Sequence, residues 1–288
     1  MRFLHCSDLH ITQDYAAAPF FKLGWRRWLA MFELTIGGRA ASYRDAALKL
    51  SRIVADMERH SVEHLLISGD LTAYSTDAEF RVARETLADI ADDRTRCSII
   101  PGNHDRFTPN SARTQRFEQH FGHLLTSDMP EYQREGAFPF VHLTGDEAAV
   151  VGLNSARPVP LPGLAFGALG EAQLTALRDL LEDPRMNHRA TLVMVHHAPR
   201  DARGRPDSRA HGLVDADALL RLLPGPRFAV LHGHLHERFH LAATATTPHA
   251  FCAGSSTQRG REGYWVIEVG DGVIRGGTIH VPDLSPSR

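Results

Sequence analysis

Five short segments of this chain combine aspartate, asparagine and histidine, residue types that bind divalent metal ions through oxygen and nitrogen. They are Asp8-Leu9-His10, Gly69-Asp70, Gly102-Asn103-His104-Asp105, His196-His197 and Gly233-His234-Leu235-His236. Such side chains suit zinc, manganese, iron, cobalt or nickel, which polarise substrates and activate water. The residue types therefore indicate metal-assisted hydrolysis at a centre that holds two ions.

Each of these segments begins where a short apolar run ends. The runs cover residues 3–6, 65–68, 97–100, 191–195 and 228–231. Runs of this kind form buried strands, and in layered α/β proteins ligands bind at the carboxyl ends of strands. We therefore predict five strands whose ends bring residues that are distant in sequence to one site.

The rest of the chain adds helices between the early strands and further strands near its end. Helical patterns cover residues 43 to about 59, 77–91, 170–181 and 215–223, and Asp215 is predicted to cap the first turn of the last one. Further strands are predicted at 141–143, 149–153, 251–253, 264–269 and 273–279. This order indicates an α/β (α+β) fold in which two sheets pack together with helices outside.

The composition limits the class of protein. The 288 residues are 43% hydrophobic, enough for a full core, and no linker separates the motifs, so we predict a single domain over 1–288. A formal net charge of −2 predicts no dedicated nucleic-acid surface. The three cysteines are predicted to be reduced core residues, which favours a cytoplasmic location. No apolar stretch has the length of a membrane-spanning helix.

Taken together, the five motifs resemble those of the calcineurin-like metallophosphoesterase superfamily. That family's pattern is DxH, GD, GNH followed by Asp or Glu, a single His, and GHxH, and all five occur here in the same order. The resemblance implies a four-layer αββα sandwich of two mixed β-sheets flanked by helices. It also implies two divalent ions as cofactors and a phosphoesterase mechanism in which a hydroxide that bridges the ions attacks phosphorus.

The resemblance further implies a role for each motif residue. One metal ion would be bound by Asp8, His10, Asp70 and His236. The other would be bound by Asp70, Asn103, His196 and His234. His104 would be the catalytic histidine that contacts the phosphoryl group or protonates the leaving oxygen, and Asp105 would orient it.

The histidine pair 196–197 leaves one choice open. Side chains alternate between the two faces of a strand, so only one of the pair can face the metal. We expect His196 to be the ligand, because the family ligand directly follows the apolar run and precedes a short turn, here Ala198-Pro199. His197 is then expected to line the substrate pocket.

The residues that follow the GD and GNH motifs also narrow the substrate class. Protein phosphatases of the superfamily read GDxVDRG and GNHE, whereas here Gly69-Asp70 continues as Leu71-Thr72 and the GNH motif is followed by Asp105. The sequences GDLT and GNHD most resemble those of the bacterial branch that contains cyclic-nucleotide phosphodiesterases. This resemblance implies a small phosphodiester or nucleotide-type substrate. Nucleases of the superfamily usually have an additional DNA-binding region after the last motif, and only about fifty residues follow His236 here. A nuclease is therefore less favoured. An inactive scaffold is disfavoured, because no ligand position is lost.

An amphipathic insertion at about 14–42 supports a different substrate. Nine apolar or aromatic residues within 20–34 surround Lys22, Arg26 and Arg27. This pattern is typical of a segment that lies at a membrane surface or covers acyl chains. The alternative function is therefore a UDP-2,3-diacylglucosamine pyrophosphatase-type hydrolase of lipid A synthesis, peripheral at the inner face of the membrane. Core packing and a homodimer contact are the other interpretations of the segment.

Overall fold

Strands and helices alternate through most of the chain. The computed structural model describes residues 1–13, 42–157 and 164–285, so the predicted insertion lies outside the described residues except for its last position. The strands in these ranges are β1 (Arg2–Cys6), β2 (His64–Ile67), β3 (Cys97–Ile99), β4 (Phe140–Thr144), β5 (Ala148–Gly152), β6 (Ala190–Met194), β7 (Phe228–His232), β8 (Arg238–Leu241), β9 (His249–Ala253), β10 (Tyr264–Gly270) and β11 (Val273–His280). The α-helices are α1 (Ala46–Arg59), α2 (Asp77–Leu87), α3 (Pro109–Arg113), α4 (Arg116–Phe121), α5 (Gly170–Leu181) and α6 (Ala216–Arg221).

The strands form two mixed sheets. The first has the order β11-β10-β1-β2-β3, in which β1, β2 and β3 are parallel and β10 and β11 run antiparallel to their neighbours. The second has the order β4-β5-β6-β7-β9-β8, with a parallel centre and an antiparallel strand at each edge. The predicted fold class, two mixed sheets flanked by helices, is confirmed.

Alternating apolar residues let the second sheet bury both of its faces. In β6, Leu192 belongs to the core shared with the first sheet, whereas the next residue, Val193, belongs to a second core beneath the outer helices. Helix α5 covers that second core with residues at helical spacing, Leu174, Leu177 and Leu180. Each fully buried leucine of this kind stabilises the fold by about 1.5–3 kcal/mol.

The two sheets bring five strand ends to a common edge. In the first sheet, β1, β2 and β3 are adjacent and parallel, and in the second β6 and β7 are adjacent and parallel. Each of these five strands matches a predicted apolar run to within one or two residues. The loops that carry the polar motifs therefore leave the two layers side by side.

Some local predictions differ from the structure. The carboxylate of Asp215 accepts hydrogen bonds from the backbone N–H groups of Leu169 and Gly170, at 2.9 and 2.8 Å, and makes no cap bond to its own helix. The prediction that Asp215 caps α6 was therefore wrong, because it satisfies the free N–H groups at the start of α5 instead. Strand β8 and the short helices α3 and α4 were not predicted.

No helix in the described ranges is both long and apolar enough to cross a membrane.

Gly152 provides a test of packing between β4 and β5, where it lies opposite Phe140. A Cβ at this position would overlap the Phe140 ring. We expect Gly152→Ala to lower the free energy of unfolding by about 1–3 kcal/mol, the usual cost of overpacking, as measured by urea denaturation. Gly122→Ala is the matched control, because a Cβ there meets only Cβ of Glu118, at 4.0 Å. Equal losses in the two variants would contradict this account.

Candidate metal centre

One group of ligand-type side chains meets between the loops that follow β1, β2 and β7. Nε2 of His10 lies 3.2 Å from Nε2 of His236, and Oδ1 of Asp8 also lies 3.2 Å from Nε2 of His236. Oδ2 of Asp70 lies 3.8 Å from Nε2 of His10. The structure therefore brings together the four residues that the sequence assigns to the first ion.

A second group lies on the other side of Asp70. Nε2 of His196 lies 3.4 Å from Oδ2 of Asp70 and 3.1 Å from Oδ1 of Asn103. Nδ1 of His234 lies 3.1 Å from the same Asn103 oxygen. The residues assigned to the second ion are thus also in contact. The same oxygen of Asp70 faces both groups, which is the position that a bridging carboxylate requires.

Unusual backbone conformations are concentrated at this centre. Five candidate ligands have a positive φ, between 44° and 72°, and these are Asp8, His10, Asp70, His234 and His236. For residues other than glycine this region costs about 1–3 kcal/mol each and persists only where the surroundings enforce it. The chain is therefore held in sharp turns directly after β1, β2 and β7, at the points where the candidate ligands lie.

Two glycines allow the loops to approach each other. A Cβ at Gly102 would overlap the Asp70 carboxylate, and a Cβ at Gly233 would overlap the carboxylate of Asp8. The absence of a side chain at these positions lets backbone N–H groups reach the carboxylates. His234 uses this approach, since its backbone N–H donates to Oδ2 of Asp8 at 2.9 Å.

Backbone carbonyls determine which ring nitrogen each histidine presents. Nδ1 of His196 lies 2.8 Å from the carbonyl oxygen of Ser68, and Nε2 of His234 lies 3.0 Å from that of His211. Because a carbonyl only accepts, these nitrogens carry a proton and the opposite nitrogen of each ring is directed at the ligand group. The opposite nitrogens are the two that face Asn103. Metal-binding histidines in proteins are commonly oriented in this way.

The charge state of the first group suits a cation. Asp8 is buried, and its Oδ1 has no hydrogen-bond donor of good geometry among the described residues. Burial raises the pKa of this carboxyl, but the neighbouring His236 outweighs burial and lowers it to about 2. Burial also lowers the pKa of His10 well below its usual value. An ionised carboxylate beside a neutral imidazole is a donor set that fits a divalent transition metal.

In the second group the charge of Asp70 favours the protonated form of His196. Burial lowers the pKa of His196, but the carboxylate of Asp70 outweighs burial and raises it to about 9. A metal ion must displace this proton, because only the neutral imidazole has a lone pair to donate. The Asp70 carboxylate and the buried His196 ring therefore create a site that requires positive charge and that an ion can occupy.

His104 lies at the edge of the first group. Its backbone N–H donates to Oδ1 of Asp70 at 2.8 Å, and its ring lies 4.8 Å from the ring of His10. Nδ1 of His104 lies 2.7 Å from the carbonyl oxygen of Ala73, so Nδ1 carries a proton and donates it there. This leaves Nε2 as the nitrogen that can exchange a proton with a substrate.

Asp105 lies beneath the loops. Its carboxylate accepts hydrogen bonds from the backbone N–H groups of Leu71, Thr72 and Gly102, at 3.1, 2.9 and 2.9 Å. The Thr72 hydroxyl donates a fourth bond at 2.9 Å. Asp105 thus ties the loop after β2 to the loop after β3, which contains His104. That Asp105 orients His104 stays a prediction.

The structure separates the two neighbouring histidines. Both rings are fully buried, but His196 lies among the candidate ligands, whereas Nδ1 of His197 lies 2.8 Å from Oγ of Ser155. A Cβ at Gly167 would overlap the His197 ring, which shows how closely the ring is enclosed. The structure therefore places His197 in the interior, beside the ring of His234 at 4.5 Å, and not at an open pocket.

Other residues around the centre were not identified from the sequence. The Tyr43 hydroxyl lies 3.4 Å from Nδ1 of His236, and the Tyr43 ring lies 4.9 Å from the ring of His10. The carbonyls of Ser68, Ala73 and His211 orient three histidines. Every residue has a carbonyl, so no sequence signal distinguishes these three. Tyr43 lay at the predicted start of a helix, which gave no reason to assign it to the site.

Comparison with known proteins agrees with this geometry. A family model described as calcineurin-like phosphoesterase matches residues 1–238, so the chain belongs to the calcineurin-like phosphoesterase family. Enzymes of this family depend on two metal ions, and the Asp and His clusters described above could bind them. A search of curated protein sequences finds no match.

Solved structures show the same fold. A dimetal phosphatase from Danio rerio is 13% identical, with a TM-score of 0.59, and the alignment covers 98% of this chain and 99% of that one. A purple acid phosphatase from yellow lupin seeds, Lupinus luteus, is 10% identical with a TM-score of 0.53, covering 99% of this chain and 54% of that one. At these identities the likeness establishes the architecture.

The choice between the paired histidines can be tested directly. We expect His196→Ala to lose at least one of two bound metal ions per chain, because its Nε2 lies within the ligand group. His197→Ala should keep both ions but lower the free energy of unfolding by about 1–3 kcal/mol, because it empties a buried site. Elemental analysis of desalted protein and thermal unfolding measure the two effects. Loss of metal in His197→Ala alone would reverse the assignment.

Proposed function

We propose that this chain is a metal-dependent phosphodiesterase that hydrolyses small phosphodiester or nucleotide-type substrates. The proposal is carried by one observation: two groups of ligand-type side chains share Oδ2 of Asp70, and the ring of His104 lies beside the first group, 4.8 Å from the ring of His10. The chain's membership of the calcineurin-like phosphoesterase family supports hydrolysis of a phosphoester.

The residues would divide between two divalent ions. One ion would be held by Asp8, His10, Asp70 and His236. The other would be held by Asp70, Asn103, His196 and His234. When bound, such ions supply Lewis-acid chemistry that neutralises charge on a phosphoryl group and lowers the pKa of water.

The protein's own contribution is to orient groups and move a proton. His104 is fixed by its bonds to Asp70 and Ala73, so Nε2 keeps one direction without reorganisation during the reaction. With both ring nitrogens protonated, His104 donates the Nε2 proton to the leaving oxygen and stays bonded to Ala73 through Nδ1. The enclosed carboxylates of Asp8 and Asp70 hold negative charge where the ions must sit.

Space beside the centre supports a diester substrate. A cavity of about 440 Å³ adjoins His236 and is lined by Leu235, Glu237, Arg238, Gly254, Ser255 and Arg261. This volume falls within the usual range for small-molecule sites. A phosphodiester carries two organic substituents and a monoester carries one, so the cavity offers room for the second substituent next to a candidate ligand.

The UDP-2,3-diacylglucosamine hydrolase remains the alternative. Its basis is the amphipathic segment at 20–34, which lies outside the described residues, so membrane or acyl-chain contact stays a prediction. The same holds for a homodimer, for the single domain over 1–288 and for the cytoplasmic location. An inactive scaffold is disfavoured, because every ligand position has a suitable side chain in contact with its group.

A substrate panel tests the proposed activity. We expect protein supplemented with manganese to hydrolyse bis-p-nitrophenyl phosphate and cyclic AMP faster than p-nitrophenyl phosphate. Asp70→Ala should abolish turnover, because it removes the shared carboxylate. Selective cleavage of UDP-diacylglucosamine would instead support the alternative. Failure to hydrolyse any of these esters with manganese, iron, zinc, cobalt or nickel would count against an enzyme.

The role of His104 is tested by a variant that spares the ligands. We expect His104→Ala to reduce kcat by about 10²- to 10⁴-fold, the usual cost of losing a general acid, while both metal ions remain bound. His120→Ala is a suitable control, because that histidine stacks on Phe80, away from the centre. Loss of metal in His104→Ala would show that His104 is a ligand instead.

A further inference from the structure

An aspartate–histidine pair lies next to the second ligand group. Oδ2 of Asp207 lies 2.6 Å from Nδ1 of His211. His211 in turn contacts the candidate ligand His234 in two ways. Its carbonyl oxygen accepts from Nε2 of His234 at 3.0 Å, and the two rings lie 4.1 Å apart at an angle of 34°. His211 therefore holds His234 at one edge and on one face.

The backbone around His211 is anchored independently of this pair. The Gly212 carbonyl accepts from the Gly167 N–H at 3.1 Å, and the Val214 N–H donates to the Gly167 carbonyl at 3.0 Å. The His211 ring, by contrast, is partly exposed and is held by Asp207. Because a carboxylate only accepts, Nδ1 of His211 carries the proton in this bond.

Gly212 allows Asp207 to approach this closely. A Cβ at Gly212 would lie 2.7 Å from Cβ of Asp207, which is too close for two carbon atoms that are not bonded. The pair thus depends on a local arrangement in which the chain turns tightly from residue 207 to 212. In the sequence, His211 had no neighbouring motif that distinguished it from the other histidines.

We propose that Asp207 and His211 are positioning residues that keep Nδ1 of His234 directed at the second metal position. Asp207 fixes the His211 ring against the His234 ring, and the His211 carbonyl keeps the proton of His234 on Nε2. Together they leave Nδ1 free to bind the ion shared with Asn103 and His196. This inference rests on the proposed function, because it presupposes a metal centre.

The same loop contains a matched pair for comparison. Asp201 and Arg205 also lie four residues apart, and Oδ2 of Asp201 lies 2.9 Å from Nη2 of Arg205. Both pairs join an aspartate to a basic side chain near the protein surface. None of the described contacts of Asp201 reaches a candidate ligand, so Asp201→Ala removes a similar interaction without touching His234.

The test measures metal affinity directly. Metal-free full-length protein is titrated with Mn²⁺, and free Mn²⁺ is followed by electron paramagnetic resonance. We expect Asp207→Ala and His211→Ala each to lower the affinity for one of the two Mn²⁺ ions by about 10- to 100-fold, the usual effect of removing a group that orients a ligand. The affinity for the other ion should be unchanged. Because the pair acts as one unit, the double variant should be no worse than either single variant.

Two further variants separate positioning from folding. Asp207→Asn keeps an acceptor oxygen at the same length and should recover most of the lost affinity. Asp201→Ala should bind both ions like the parent. The Tm of the metal-free protein should be unchanged in Asp207→Ala, because the contact acts on the ligand rather than on the core.

Each other outcome contradicts the inference. If Asp207→Ala binds both ions as tightly as the parent, Asp207 and His211 do not position His234. The inference then fails while the proposed function stands. If the affinity for both ions falls and the Tm of the metal-free variant falls as well, the pair has only a structural role. If the parent itself binds no ion, the proposed metal centre is wrong and the inference falls with it.

Discussion

The carboxylate of Asp70 is the group on which the candidate centre depends. It is almost completely buried, its Oδ2 faces both His10 and His196, and its Oδ1 accepts from the backbone of His104. Burial raises the pKa of Asp70, but the surrounding histidines outweigh burial and lower it well below its usual value. An ionised carboxylate in such an enclosed place needs compensating positive charge. The arrangement thus creates a demand for cations at the point where the loops converge.

Holding Asp70 there requires a rigid surrounding structure. Its left-handed backbone is followed by a loop whose N–H groups are bound by Asp105, and Asp105 also binds Gly102 of the neighbouring loop. Both loops leave adjacent parallel strands, β2 and β3, which are buried on both sides. The unfavourable conformations are therefore maintained by burial and by cross-loop hydrogen bonds rather than by the loops themselves. This explains why a layered sandwich is a suitable scaffold for the site.

Local signals were sufficient to predict the five strands that lead into the site, because an apolar run followed by polar residues is visible within about ten positions. The assignment of the candidate ligands came from the resemblance of the five motifs to the family's pattern. Strand β8 was not predicted, since its four residues lie at a sheet edge and are only partly buried. Asp215 was assigned to the wrong helix, because its partners, Leu169 and Gly170, are more than forty residues away. The contacts that orient the histidines depend on the same kind of distant pairing. Sequence could therefore name the side chains but not the protonation state in which they are held.

The two histidines 196 and 197 show how contacts in the folded chain assign chemistry to neighbouring residues. They lie in the bend that follows β6, where strand alternation no longer sets the direction of a side chain, and their rings are 5.2 Å apart. Nδ1 of His196 lies against the Ser68 carbonyl just after β2, whereas Nδ1 of His197 lies against Oγ of Ser155 and its ring packs on Gly167. His196 is left with Nε2 at 3.4 Å from Oδ2 of Asp70, and the His197 ring packs against the ring of His234 at 4.5 Å. Both residues are buried histidines at adjacent positions, so neither residue type nor burial distinguishes them. The contacts that the folded chain gives to each ring decide which one belongs to the metal centre.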